Sequence, residues 1–403
     1  MTRPQELFLA RSETSLDVAA RTPDQVLVRR LTLADFRSYA TLDLSVDARL
    51  VVLTGENGAG KTNLLEALSL LSPGRGLRRA ELSECARIGG GGGFAVSTEI
   101  ETQKGFMQLG TGIEPQRDAP LQRKYRINRE PVPSIRAFCD HLRVVWLTPA
   151  MDGLFSGPAG ERRRFLDRLV LAIDTSHGAS VNAFERALRS RNRLLEDGPA
   201  ADRRWLDAIE KEAAELAIAI AAARVETVSK LSALIAETSD NASAFPWASL
   251  ALAGEVERLI GSHPAVEAED IYRAALRENR FRDSQAGRAL IGPQAADLCV
   301  RHGPKQVLAA QASTGEQKAL LAGLVLAHVR LVAAMSGLAP LVLLDEIAAH
   351  FDPLRRDALF DSLKTLGGQI WLSGADRTIF RAIESNALML TVTPGAVRSS
   401  SSR

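Results

Sequence analysis

Apolar and polar residues roughly alternate over Val26–Leu31 and again over Leu42–Val46, a period of two that predicts strands. Leu50–Thr54 is an apolar run that ends at a glycine-rich turn, and predicts a third strand. From Thr62 the period changes: Leu64, Leu65, Leu68 and Leu71 fall at helical spacing, with Pro73 and Gly74 as the stop. Strand, glycine loop and helix therefore follow one another. Short strand-like runs continue after Leu77, and the five glycines Gly89–Gly93 read as a turn rather than a ligand cradle.

A second change of pattern begins at Gly160 and lasts to about Arg282, where Ala, Leu, Arg and Glu dominate. Apolar positions recur at helical spacing, as in Val181, Phe184, Leu188 and Leu195, then Ile209, Leu216 and Ile220, then Val228, Leu231 and Ile235. The break at Asp197–Pro199 predicts that two of these helices fold back as an antiparallel pair. After Ala289 glycine-punctuated strands and helices return, with apolar strand candidates at Leu341–Leu344 and Gln369–Leu372. The pattern divides the chain into an α/β head made of 25–155 and 286–398, a mainly helical insert over 156–285, and polar tails at 1–24 and 399–403.

With 403 residues, 46% hydrophobic and 24% charged, the chain is long and apolar enough for more than one packed core. Fifty basic and 48 acidic side chains leave a net charge of +2, so any basic surface must be local. Cys85, Cys139 and Cys299 lie far apart and match no zinc or disulfide framework, as expected of reduced thiols in a cytoplasmic protein. The first 24 residues carry charges throughout and lack a signal-peptide core, and the apolar stretch Leu331–Leu344 is interrupted by Ser336, Gly337 and Pro340. No membrane span is expected.

Gly55-Glu56-Asn57-Gly58-Ala59-Gly60-Lys61-Thr62 fits G-x-x-x-x-G-K-[ST] and lies between a predicted strand and a predicted helix, the context a phosphate loop requires. Backbone N–H groups from about Gly58 to Thr62 can converge on a polyphosphate, aided by the positive end of the following helix. Lys61 then bridges the β and γ phosphates and the Thr62 hydroxyl is a ligand for Mg2+. Leu341–Leu344 runs into Asp345 and Glu346, placing two acids at the carboxyl edge of a parallel sheet. There Asp345 is expected to hold the magnesium, and Glu346 to act as base towards the water that attacks the γ phosphate. Ser313-Thr314-Gly315-Glu316-Gln317, just before the helical pattern Leu320, Leu321, Leu324, Val325, offers a second anion site or, more simply, a helix cap.

This last segment resembles the signature motif of ABC-type ATPases, and its order between phosphate loop and acid pair matches theirs. That resemblance implies an ABC-type head whose Ser313, Gly315 and Glu316 complete the nucleotide site of a second subunit. One chain carries each motif once, so an ATP-dependent homodimer follows. With Asp35-Phe36-Arg37-Ser38-Tyr39, Gly55–Asn63, Leu71–Arg78, Gly157–Asp167, Arg189-Ser190-Arg191-Asn192, Gly292–Leu298 and Asp345–Asp352, most of the chain resembles the RecF family of bacterial recombination mediators. The resemblance implies an ATP-dependent DNA-binding protein of repair and replication, a weak DNA-dependent ATPase that closes on duplex DNA at gaps or junctions. It implies partners of the RecO and RecR type, and nucleotide contacts from Arg37 and Asn63 beside the loop. Ser373-Gly374-Ala375-Asp376 stands where transporters carry a switch histidine.

Basic clusters at Arg75, Arg78 and Arg79, at Arg162–Arg164, and at Arg186, Arg189, Arg191 and Arg193 are either solvated faces or phosphate contacts. Arg75, Arg78, Arg79, Arg189 and Arg191 are taken as the DNA candidates, contacting backbone without sequence preference. A small-molecule kinase would share the phosphate loop but leaves Ser313–Gln317 unexplained. A transporter subunit would need a switch histidine and a segment that docks on a membrane partner.

Overall fold

The computed structural model describes residues 22–115, 121–198, 202–239 and 245–399. They form two compact units, one from the described residues of Asp17–Asp152, Asn241–Pro246 and Ser313–Arg403, the other from those of Gly153–Asp240 and Trp247–Ala312. Residues 1–21 and 400–403 of the expected tails lie outside the described residues.

The first unit, the head, begins with β1 (Asp24–Gln25), β2 (Leu27–Phe36), β3 (Tyr39–Ser45), β4 (Leu50–Thr54), α1 (Lys61–Ser69) and α2 (Leu82–Cys85). It continues with β5 (Phe94–Thr102), β6 (Gly105–Ile113), β7 (Arg123–Ile127), β8 (Glu130–Pro131) and β9 (Val144–Leu147). An antiparallel sheet in the order β3-β2-β5-β6-β7-β8 shows the in–out alternation expected of a sheet with one covered face. That alternation continues past Leu31 through Leu33 to Phe36, so β2 is longer than its first six alternating residues indicate.

The second unit consists of α3 (Ala159–Ile173), α4 (His177–Glu196), α5 (Arg203–Thr238), β10 (Ala248–Ala253), α6 (Glu255–Ser262), α7 (Ala265–Glu278), α8 (Arg280–Ala286), β11 (Asp297–His302) and β12 (Val307–Leu308). The expected helix break is present: α4 ends at Glu196, and Asp202 caps α5 by accepting from the N–H groups of Arg204 and Trp205. Phe184 and Leu188 pack in one core with Ile209, Ala213 and Ala217 of α5 and with Tyr272 and Leu276 of α7. Small residues on α5 let its neighbours approach closely. The unit extends beyond the expected insert, because β10 pairs antiparallel with β11 over its whole length, from Ala248↔His302 to Ala253↔Asp297. Residues 286–312 therefore belong to the helical unit rather than to the head. The strand β10 escapes the sequence pattern since its buried positions, Ala248 and Ala251, are three apart.

The chain returns to the head with α9 (Thr314–Ser336), β13 (Leu338–Ala339), β14 (Leu341–Leu344), α10 (Pro353–Thr365), β15 (Ile370–Gly374), β16 (Leu388–Thr393) and β17 (Ala396–Ser399). Its second sheet has the order β17-β16-β4-β15-β14-β9, parallel except for β17. Every residue of β14, β9 and β15 is buried, which is why β14 and β9 read as unbroken apolar runs and β15 as one up to Leu372. One core unites the two sheets and α1, and includes Leu33, Phe36, Leu53, Leu64, Leu68, Leu343 and Trp371. Among the described residues α9 is the one helix long and apolar enough to cross a membrane. Leu320, Leu324, Val325, Leu331 and Val332 along it are buried in the protein, as in a core helix.

Candidate functional site

Four parallel strands bring the site together. Thr54 of β4 pairs with Gly374 of β15, Leu372 with Leu344 of β14, and Leu344 with Leu147 of β9, so the loops after all four leave from one edge. At the end of β4 the chain turns through Gly55–Gly60 into α1. Gly55 has φ +150° and a Cβ there would lie 2.3 Å from the Val392 carbonyl oxygen. Gly60 has φ +111° and its Cβ would meet the Tyr39 hydroxyl at 2.8 Å. Both positions therefore demand glycine, by conformation and by space. Burial raises the pKa of the Tyr39 phenol, whose hydroxyl donates to the Gly60 carbonyl (3.2 Å).

The Lys61 ammonium is buried and donates to the carbonyls of Gly55 (2.8 Å) and Glu56 (2.9 Å), 3.9 Å from the Glu346 carboxylate. The next residue, Thr62, donates its hydroxyl to both oxygens of Asp345, at 3.1 and 3.0 Å. Ser373, at the end of β15, donates to the same carboxylate (2.6 Å) and accepts from the backbone N–H of Glu346 (3.0 Å). Glu346 has φ +52°, a conformation that a non-glycine residue holds only where its surroundings fix it, and its side chain is about a third exposed. Lys61, Thr62, Asp345 and Glu346 thus meet as the sequence expects. Ser373 was missed as a partner of the acids, although its place after an apolar strand parallel to β14 is the signal for it.

Thr62 and Asp345 offer hard oxygen donors beside a loop shaped for phosphate, and they fit magnesium, which takes one or two protein ligands together with phosphate oxygens and water. Among the described residues no group of three or more His, Cys, Asp or Glu side chains could hold a metal by itself. Glu56, Asn57 and Gly58 are exposed along the loop, whereas Ala59 is buried. Asn63 receives Arg78 (2.7 Å) and donates to the Ser38 hydroxyl (2.9 Å).

Arg37 has φ +52° and is engaged away from the loop. It donates twice to the fully buried Glu66 (2.8 and 2.5 Å) and once to the Glu84 carbonyl (2.7 Å). The bond to Glu66 raises its pKa further. Arg78 shares Glu66 at 2.6 Å, so one carboxylate on α1 holds both arginines. Arg75 is exposed and pairs with Glu81 (2.6 Å), and Arg79 is exposed as well. At the start of α9, Ser313 and Glu316 form a capping box: the Ser313 hydroxyl accepts from the Glu316 N–H (3.4 Å), and the Glu316 carboxylate from the Ser313 N–H (3.1 Å). Ser313 is exposed and Gly315 partly so.

In the helical unit the candidates separate. Arg189 is exposed, 3.8 Å from Glu185 on its own helix. Arg191 is wholly buried, donating to Glu210 (2.9 Å), Asp283 (2.7 Å) and the Leu276 carbonyl (2.6 Å). It cannot reach DNA, and the expectation that it does is corrected: α4 turns this position inward, where the guanidinium pairs with two buried acids, one of them shared with Arg280. Arg162 pairs with Asp297 (2.8 Å), Arg163 donates to the Ala296 carbonyl (2.7 Å), and Arg164 pairs with Glu161, so that cluster holds its own unit together.

The RecF/RecN/SMC N terminal domain family matches residues 27–397. "DNA replication and repair protein RecF" of Rhizobium rhizogenes is 52% identical over 94% of this chain and 100% of its own length. The protein of the same name from Rhizobium meliloti is 53% identical over 93% of this chain and 99% of its own length. Among solved structures, the "Structure of the recombination mediator protein RecF-ATPrS in RecFOR pathway" superposes with a TM-score of 0.83 at 18% identity, covering 94% of this chain and all of the other. A second, of RecF-ATP, gives 0.77 at 19% identity over 93% and 99%. These two show that the fold is shared. With a head built around a phosphate loop and a facing acid pair, and half of its residues identical to those relatives over nearly their whole length, the chain belongs to the RecF family.

Proposed function

We propose that the chain is an ATP-gated clamp on duplex DNA in recombinational repair and replication-fork maintenance. The observation that carries this reading is the meeting of Lys61, Thr62, Asp345 and Glu346 at one sheet edge, in a chain whose exposed Ser313 stands at the start of a separate helix. Lys61 and the loop amides hold the β and γ phosphates of ATP; Thr62 and Asp345 would hold magnesium, which would offset phosphate charge. Glu346 orients the attacking water and accepts its proton. Ser313, Gly315 and Glu316 of one subunit close over the γ phosphate of the other, so ATP binding forms the homodimer and slow hydrolysis releases it.

Arg75, Arg78, Arg79 and Arg189 are the cations proposed to meet the DNA backbone at gaps or junctions. The clamp then helps to load recombinase with partners of the RecO and RecR type in the cytoplasm, as the relatives' names and the place of the solved RecF in a RecFOR pathway support. ATP hydrolysis measured with and without duplex DNA tests the reading. It expects a slow rate that duplex raises; a rate indifferent to DNA would overturn the DNA-dependent switch.

A further inference from the structure

Asp345, already bonded to the hydroxyls of Thr62 and Ser373, shares a cavity with a third hydroxyl residue, Thr148, that the proposed chemistry does not use. Thr148 follows β9 directly, and because Leu147 pairs with Leu344 and accepts from the Asp345 N–H (2.9 Å), Thr148 lies beside Asp345 across the two strand ends. Thr148 is 6% exposed, and its hydroxyl oxygen has no hydrogen-bond partner among the described residues. A buried hydroxyl left so costs about 1–3 kcal/mol. The same residue lines a small cavity of about 10 Å³ together with Asp152, Lys318 and Asp345, bordered by apolar neighbours such as Leu321 and Phe351. The volume is that of one water, and the lining offers the two to four polar partners a buried water takes. Lys318 lies on α9 and pairs with Asp152 at 2.7 Å.

We propose that Thr148 is a positioning residue of the nucleotide site: with Asp345 it holds one buried water, which fixes the rotation of the carboxylate whose other bonds come from Thr62 and Ser373. The proposal rests on the reading that Asp345 is a magnesium ligand. Groups that orient a metal ligand typically alter metal affinity 10–100-fold when removed. Thr148→Val keeps the shape and removes the hydroxyl, and Thr148→Ser restores it.

The affinity of the full-length protein for a fluorescent ATP analogue, titrated over a range of magnesium concentrations and again in EDTA, separates the cases. Expected is a roughly tenfold higher magnesium requirement for Thr148→Val, unchanged binding in EDTA, and recovery with Thr148→Ser. Equal weakening with and without magnesium, or no recovery with serine, would mark Thr148 as structural and overturn the inference. So would a wild-type magnesium dependence in Thr148→Val while Asp345→Asn loses it, an outcome that leaves the magnesium reading intact. Asp345→Asn behaving as wild type would overturn that reading and the inference together.

Discussion

Thr62 and Asp345, 283 positions apart in sequence, meet with the threonine hydroxyl 3.0 Å from the carboxylate. The first residues of α1 and the residue that follows β14 are thereby joined at the edge where Lys61 approaches Glu346. The chemistry assigned to the site depends on this meeting, and each assigned role can be tested separately.

Replacing Glu346 by Gln keeps the side chain's size and removes the base. Its backbone N–H can still donate to Ser373, so the left-handed turn should survive. Hydrolysis should fall on the order of a hundredfold or more while ATP remains bound, and the dimer should persist on DNA. Single-turnover hydrolysis at the wild-type rate would show that another group serves as base.

Ser313→Arg should leave ATP binding by the monomer intact and block closure, since the larger side chain fills space assigned to the partner's γ phosphate. The capping bond to Glu316 is also lost, at a cost of about 1 kcal/mol. Equilibrium binding of nucleotide to dilute protein is the check; loss of binding there would place Ser313 in its own subunit's site.

How far the sequence reveals this protein differs between its parts. The phosphate loop, α1 and β14 are legible because a glycine pattern and buried apolar runs are local signals. Ser373 and Thr148 carry no local signal; they acquire meaning only when parallel pairing sets the ends of β15 and β9 next to Asp345. Arg189 and Arg191 show the same limit from the other side. They are two residues apart on α4, about 200° around the helix axis, and the rotation sends one to solvent and the other into a cluster of acids. The boundary near residue 286 falls elsewhere for a related reason, since β11, expected in the head, joins the helical unit through its pairing with β10.

Arg191→Met should lower stability by about 3–5 kcal/mol, because Asp283 stays buried after losing Arg191, while Glu210 keeps Arg280 (2.6 Å). Arg189→Ala should change it by less than about 0.5 kcal/mol. Denaturant unfolding of both variants is the comparison. Equal stability would contradict the buried network, and a stable Arg191→Met that loses DNA binding would return this residue to the DNA surface.

Arg75→Ala together with Arg78→Ala removes four cations per closed dimer. Each lost phosphate contact should flatten the slope of log affinity against log salt by about 0.9, so the slope should fall by roughly three to four units on duplex DNA. Arg78→Ala alone also leaves Glu66 with Arg37 as its remaining ion-pair partner in the site, which makes Arg75→Ala the cleaner single change. An unchanged slope in the double variant would make this loop a solvated face.

The central claim is that ATP, bound in the loop around Lys61, closes two chains on DNA. Size-exclusion chromatography with light scattering, run with duplex DNA in ATP and in ADP, tests it most directly when Lys61→Ala is carried alongside. The account predicts that ATP shifts the wild-type protein from one chain of 43.5 kDa to two, and that neither ADP nor the Lys61→Ala variant in ATP does so. The same protein mass in ATP and ADP, or a Lys61→Ala dimer at wild-type ATP concentrations, would contradict it.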